Sequence, residues 1–257
     1  MFALQPWQFG SQRKFASVEM THSHHAQHPN FGRPLCREDL ISGSLRAAFL
    51  KTGVGALAWS DERLERSLDA TLACFPAGDV WVFAYGSLIW NPLFRFADRR
   101  LARIYGFHRA FCLWSRVGRG TPERPGLVLG LDHGGSCAGL AYRIAREHVR
   151  EELGLLWRRE MVTGSYVPTR VKARTRHGAV NAISFVIDHC GPAYAGRLSA
   201  ADAARSIAIA SGLHGPCAEY LKRTVTGLRE HGIEDAHLGV IEHALPDPGG
   251  AGTALAA

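Results

Sequence analysis

The stretch VWVFAYGSLIWNPLF, Val80 to Phe94, decides the fold. Its first six residues are apolar, β-branched or aromatic and predict a buried strand that stops at Gly86-Ser87. Gly86 lacks a Cβ, so the chain can turn sharply there and lie against a ligand. Backbone N–H groups after such a strand can converge into a nest for an anion or a developing oxyanion. Ser87 adds a hydroxyl and Tyr85 a phenol. The same residues also fit a strand end with an ordinary Gly-Ser turn, and spacing does not separate the two readings.

Downstream, Leu101 to Trp114 and Leu127 to Leu131 predict further strands. His133-Gly134-Gly135-Ser136 reads as a turn, with Cys137 to Ile144 as the return strand. A helix follows from about Arg146 to Met161, then strands near Tyr166 to Thr175 and Ala179 to Val186. Ser199-Ala-Ala-Asp202 resembles a capping box, and Gly215-Pro216 opens a helix through Tyr220 and Leu221. Upstream, Arg37 to Phe75 predicts two helical segments, with Ser60-Asp61 capping the periodic Leu64, Leu68, Leu72 and Phe75. The order of strands, helix, strands and helices predicts an α/β (α+β) fold. It fits a mixed sheet, open or closed as a small barrel, with surrounding helices, better than alternating βαβ units.

The chain has 257 residues, 46% hydrophobic and 21% charged, which is globular composition and excludes disorder over the whole length. A net charge of +7 permits an anionic ligand or nucleic acid and demands neither. Cys36, Cys74, Cys112, Cys137, Cys190 and Cys217 form no CxxC pair and predict free thiols in a reducing cytoplasm. The start, MFALQPWQFGSQRKF, does not read as a signal peptide. VWVFAYGSLIW is too short to cross a bilayer. Residues 1–34 read as a flexible tail, 35–78 as a helical lead-in, 79–246 as the main domain and 247–257 as a second tail. His22, His24, His25 and His28 in the first tail read as a metal site or simply as a His-rich tail.

Three features carry candidate chemistry beyond the strand end. In the helix before Met161, Val149, Leu153 and Leu156 share a face, and Glu160 continues it. Burial there would raise its pKa above the ordinary value of about 4.3, as a base working near neutrality requires. Alternatively, the helix ends early and Glu160 is exposed or pairs with Arg158, Arg159 or another cation. The loop VGRGTPERPG, Val117 to Gly126, could close over a site and offer Arg119 to a carboxylate, or be a solvated hairpin loop. Arg170, Lys172, Arg174 and Arg176 alternate on one strand face, as a basic patch or as the wet face of an edge strand. No HExxH, EF-hand, GxSxG or phosphate-loop string occurs, so metal or activated-serine catalysis has no positive support.

VFAYGSLIWNPLF, then GRGTPERPGLVLGLD, GLAYRI, RREMVTGSY (Arg158 to Tyr166) and AEYL (Ala218 to Leu221) together resemble the ChaC-type gamma-glutamylcyclotransferases, in the same order. The resemblance spans roughly Leu35 to Leu245. It implies the gamma-glutamylcyclotransferase-like mixed β-barrel and cleavage of glutathione to 5-oxoproline and cysteinylglycine. Glu160 matches the family's catalytic glutamate. Val82, Phe83, Ala84, Tyr85, Gly86 and Ser87 match the segment that holds the gamma-glutamyl group, with Leu88 completing YGSL. Ala84 stands where many members have glycine. The expected reaction needs no metal or organic cofactor, and the expected partner is glutathione, without nucleic acid or membrane. The alternatives are cyclisation of other gamma-glutamyl compounds and a non-catalytic regulator of cation transport.

Overall fold

Residues Val80–Ala84 form strand β1, and four of the five are buried. The computed structural model describes residues 34–246. β1 pairs antiparallel with β3 (Gly126–Ile144) and parallel with β5 (Gly178–Ile187). With neighbours on both edges and side chains buried on both faces, β1 reads as a continuous apolar run rather than an alternating one. β2 (Asp98–Ser115) and β4 (Tyr166–Thr175) complete a closed barrel in the order β1-β3-β2-β4-β5. The mixed barrel with helices around it is the expected fold class.

One expectation is corrected. Leu127 to Leu131 and Cys137 to Ile144 are not two strands joined by a turn at His133 to Ser136. They are one strand, β3, which stays paired with β2 throughout. Between the pairs Tyr105↔Ser136 and Phe107↔His133, two glycines of β3 face one glycine of β2. Gly134 (φ 94°), Gly135 (φ 68°) and Gly106 (φ 87°) all adopt left-handed backbone. The glycines thus supply a bulge that bends a long hairpin, and do not end a strand.

The lead-in holds three α-helices where two segments were expected: α1 (Arg37–Ile41), α2 (Ser44–Leu50) and α3 (Asp61–Leu72), with a 3₁₀ turn at Gly55–Leu57. Gly43, left-handed at φ 74°, separates α1 from α2. Ser60 caps α3 by accepting from the Arg63 N–H at 3.3 Å. After a 3₁₀ turn at Arg146–His148 comes α4 (Val149–Glu160), which buries Val149, Leu153 and Leu156 as the period predicts. Trp157 beside them meets Phe185 of β5 edge-on at 5.4 Å.

Ser199 caps α5 (Ala200–Ile209) as its sequence predicts. A two-residue ladder, β6 (Ser211–Gly212) and β7 (Gly215–Pro216), leads into α6 (Cys217–Glu230). A further helix, α7 (Ala236–His243), follows, capped by Asp235. Arg170, Lys172 and Arg174 point to solvent from β4 while Val171 and Ala173 are buried, and Arg176 beyond the strand is exposed. The wet-face reading fits, but β4 is no free edge: it joins β2 through Ala102↔Thr175 and Arg103↔Arg174. All six cysteines are free thiols. Among the described residues no helix is long and apolar enough to cross a membrane. Residues 1–33, with their four histidines, and 247–257 lie outside the described residues.

Candidate active site

The end of β1 and the end of α4 meet at one cavity of about 240 Å³. Ser87 and Glu160 both line it, together with Arg159, Tyr166 and Tyr220. The remaining residues of the strand end stand behind this wall. Val82, Phe83 and Ala84 are fully buried in β1, and Tyr85 and Leu88 are buried beside them.

Gly86 is not at a positive φ. A Cβ there would lie 3.3 Å from Tyr220 Oη and 3.6 Å from Leu129 Cβ. What its missing side chain admits is Tyr220. The carbonyls of Gly86 and Ser87 accept from the N–H groups of Ile89 (2.9 Å) and Asn91 (2.8 Å). The N–H groups of Gly86, Ser87 and Leu88 have no acceptor among the described residues. Three successive N–H groups without an acceptor, at the start of a helical turn, are of the kind that can receive a developing negative charge. The Tyr85 carbonyl is held from behind by buried Arg109, which also donates to the Ala138 carbonyl at 2.6 Å and pairs with Asp235.

Glu160 is the last residue of α4, so the helix does not end early. Its Oε1 lies 2.9 Å from Arg159 Nε but off the N–H direction, so this buried oxygen accepts no hydrogen bond. Arg159 spends its other nitrogens on the Asn91 carbonyl and, at 2.8 Å, on Ser87 Oγ. Burial raises the Glu160 pKa above the ordinary carboxyl value, and the Arg159 charge offsets part of that rise.

The Glu160 charge is felt by three buried phenols, of which Tyr166 and Tyr220 line the same cavity. Tyr85 Oη donates to the Phe185 carbonyl at 2.7 Å and Tyr166 Oη to the Leu129 carbonyl at 2.8 Å. Tyr220 Oη accepts from the Leu129 N–H at 3.3 Å. Burial raises all three pKa values, and the Glu160 charge adds to each rise. The phenols therefore stay neutral, and Glu160 is the carboxyl among them.

The sequence offered Arg159 as one possible partner of Glu160, and the structure makes that pair, but nothing in the sequence showed Tyr166 as a wall of the site. It also gave no sign that the lead-in reaches the cavity, which Leu35, Leu45 and Phe49 help to line. The contacts of Tyr166 and of the lead-in join residues far apart in the chain.

The family model described as ChaC-like protein matches residues 80–246. This chain belongs to the ChaC-like family. Among curated relatives, the glutathione-specific gamma-glutamylcyclotransferase of Escherichia coli K12 is 45% identical over 197 residues, covering 74% of this chain and 85% of the relative. The human glutathione-specific gamma-glutamylcyclotransferase 1 is 32% identical over 185 residues, covering 67% and 83% respectively. A crystal structure of the yeast gamma-glutamyl cyclotransferase specific to glutathione superposes with a TM-score of 0.58 at 23% identity, covering 65% of this chain and 97% of that one. That likeness shows that this ChaC-like protein has the gamma-glutamylcyclotransferase fold.

Proposed function

We propose that this ChaC-like protein is a gamma-glutamylcyclotransferase that cleaves glutathione to 5-oxoproline and cysteinylglycine. The names of the relatives supply the substrate. The observation that carries the chemistry is the buried Glu160 Oε1, which accepts no hydrogen bond and shares one cavity with Ser87 of the strand end.

The reaction is an internal aminolysis, so nucleophile and electrophile arrive already tethered, and the protein needs only to fold the chain and move protons. The α-ammonium of the gamma-glutamyl group donates to Glu160 Oε1 and loses a proton to it. The free amine attacks the γ-carbonyl carbon, and a new C–N bond closes the five-membered ring. The N–H groups of Gly86, Ser87 and Leu88 receive the oxyanion. As the intermediate collapses, the old amide C–N bond breaks and leaves with the cysteinyl nitrogen. The attacking nitrogen gives up two protons and the departing one gains two, with Glu160 as relay, so charge is conserved. No metal or organic cofactor enters these steps. Arg159, fixed on Ser87 and Asn91 with its Nε 2.9 Å from Glu160 Oε1, stabilises the carboxylate form of Glu160.

A glutathione substrate and six free thiols support a cytoplasmic setting. The test is a side-by-side assay of the purified protein with glutathione and with gamma-glutamyl amino acids, following 5-oxoproline. Release from glutathione at the higher kcat/KM supports the proposal. Release only from the amino-acid derivatives moves the substrate to that class, and no release from either removes the enzymatic reading.

A further inference from the structure

Arg119 also lines the cavity and is only 7% exposed. It sits in the loop between β2 and β3, and this loop is no mobile flap. The N–H groups of Leu213 and His214 each donate at 2.8 Å to its Val117 and Gly118 carbonyls. A Cβ at Gly120 would fall 2.1 Å from Gly126 N, and one at Gly126 would fall 2.2 Å from the Arg119 carbonyl oxygen. Only glycine permits this closure, so the guanidinium is held on a fixed support.

Its charge has no carboxylate within ion-pair distance among the described residues. One nitrogen donates to the Pro216 carbonyl at 3.2 Å, and the group lies over the Tyr220 ring at 5.7 Å. The nearby Glu219 is already paired with Arg223 at 2.6 Å. Burying a cation without an anion costs stability, and burial lowers the Arg119 pKa. A ligand carboxylate would offset that cost through a two-pronged hydrogen bond.

Arg159 and Arg119 both line the cavity, Arg159 with its Nε 2.9 Å from Glu160 Oε1 and Arg119 over the Tyr220 ring. Arg159 forms the ion pair with Glu160, whereas Arg119 forms none with it. If the substrate's α-ammonium meets Glu160, its α-carboxylate, one carbon away, stays at the Arg159 side. The geometry points to Arg119 as the residue that binds the distal, glycyl carboxylate of glutathione and so selects the tripeptide over shorter or capped gamma-glutamyl compounds. This inference rests on the reading of the protein as a glutathione cyclotransferase.

The experiment compares kcat/KM for glutathione and for its glycine monoethyl ester in the wild type, Arg119→Gln and Arg119→Lys. The wild type prefers the free acid by roughly tenfold or more, as a site built around a ligand's charge does. Arg119→Gln raises KM for glutathione with little change in kcat and collapses the preference, and Arg119→Lys retains part of it. An equal preference in the wild type and Arg119→Gln overturns the inference. So does a wild type that processes the ester as well as glutathione, whether or not the variants fold. A wild type that forms no 5-oxoproline from glutathione overturns the underlying reading instead.

Discussion

Glu152, fully buried in α4, accepts two hydrogen bonds from Arg37, at 2.6 and 2.8 Å. The pair joins the helix that ends in Glu160 to the lead-in that walls the cavity. Glu152 also accepts from the Arg95 N–H at 2.9 Å, and Arg37 donates to the Leu93 carbonyl at 3.0 Å. Arg37→Ala leaves a buried carboxylate without its cation and should cost about 3 kcal/mol in urea unfolding. Burial alone would raise the Glu152 pKa, but the hydrogen bonds and charges of Arg37 and Arg95 outweigh it and lower the pKa. A depressed folded-state pKa gives stability that is present above the ordinary carboxyl value and lost as pH falls through the folded one. The wild-type advantage over Arg37→Ala should therefore shrink on acidification below about pH 4.3.

Glu160 has the opposite sign. Its raised pKa means that the folded state is relatively favoured below the unfolded pKa and loses that advantage as pH rises through the folded value. Glu160→Gln removes a buried charge, so its melting temperature at pH 7 should exceed that of the wild type. The gap should close toward pH 4. A variant less stable than the wild type at both pH values contradicts the burial argument.

Arg159 lowers the Glu160 pKa from the height that burial would impose. Arg159→Met should move the acid limb of the kcat/KM profile to higher pH, because the base then protonates more readily. An unmoved limb means that Glu160 is not the group titrating there.

Gly86 faces Tyr220 Oη at a distance too short for a comfortable methyl. Gly86→Ala should displace the phenol by a few tenths of an ångström, and Gly86→Val by more. Both should raise KM for glutathione, valine more than alanine. Full affinity in the valine variant removes the strand end from the binding account.

The sequence carried Glu160 because α4 keeps its period to the last turn, so a carboxylate on the apolar face stood out. It carried β1 because a strand buried on both faces is a plain apolar run. Glu152 lies in the same buried strip and was not singled out, since its partner Arg37 is a long-range contact. The glycines of β3 were misread because Gly134 and Gly135 suit a turn as well as a bulge, and only the register against Gly106 decides. The loop Val117 to Gly126 offers Arg119 to a carboxylate on sequence grounds, but its fixed support and the absence of a carboxylate partner among the described residues are tertiary facts. The placements of Tyr166 and of Leu35, Leu45 and Phe49 likewise depend on the barrel closing.

The central claim is that Glu160 moves the protons of lactam closure. The direct measurement is single-turnover formation of 5-oxoproline from saturating glutathione by the wild type and Glu160→Gln, with glutathione binding followed in parallel. The account predicts retained binding and a rate lower by roughly 10²-fold or more in the variant. A variant that forms 5-oxoproline as fast as the wild type would contradict it.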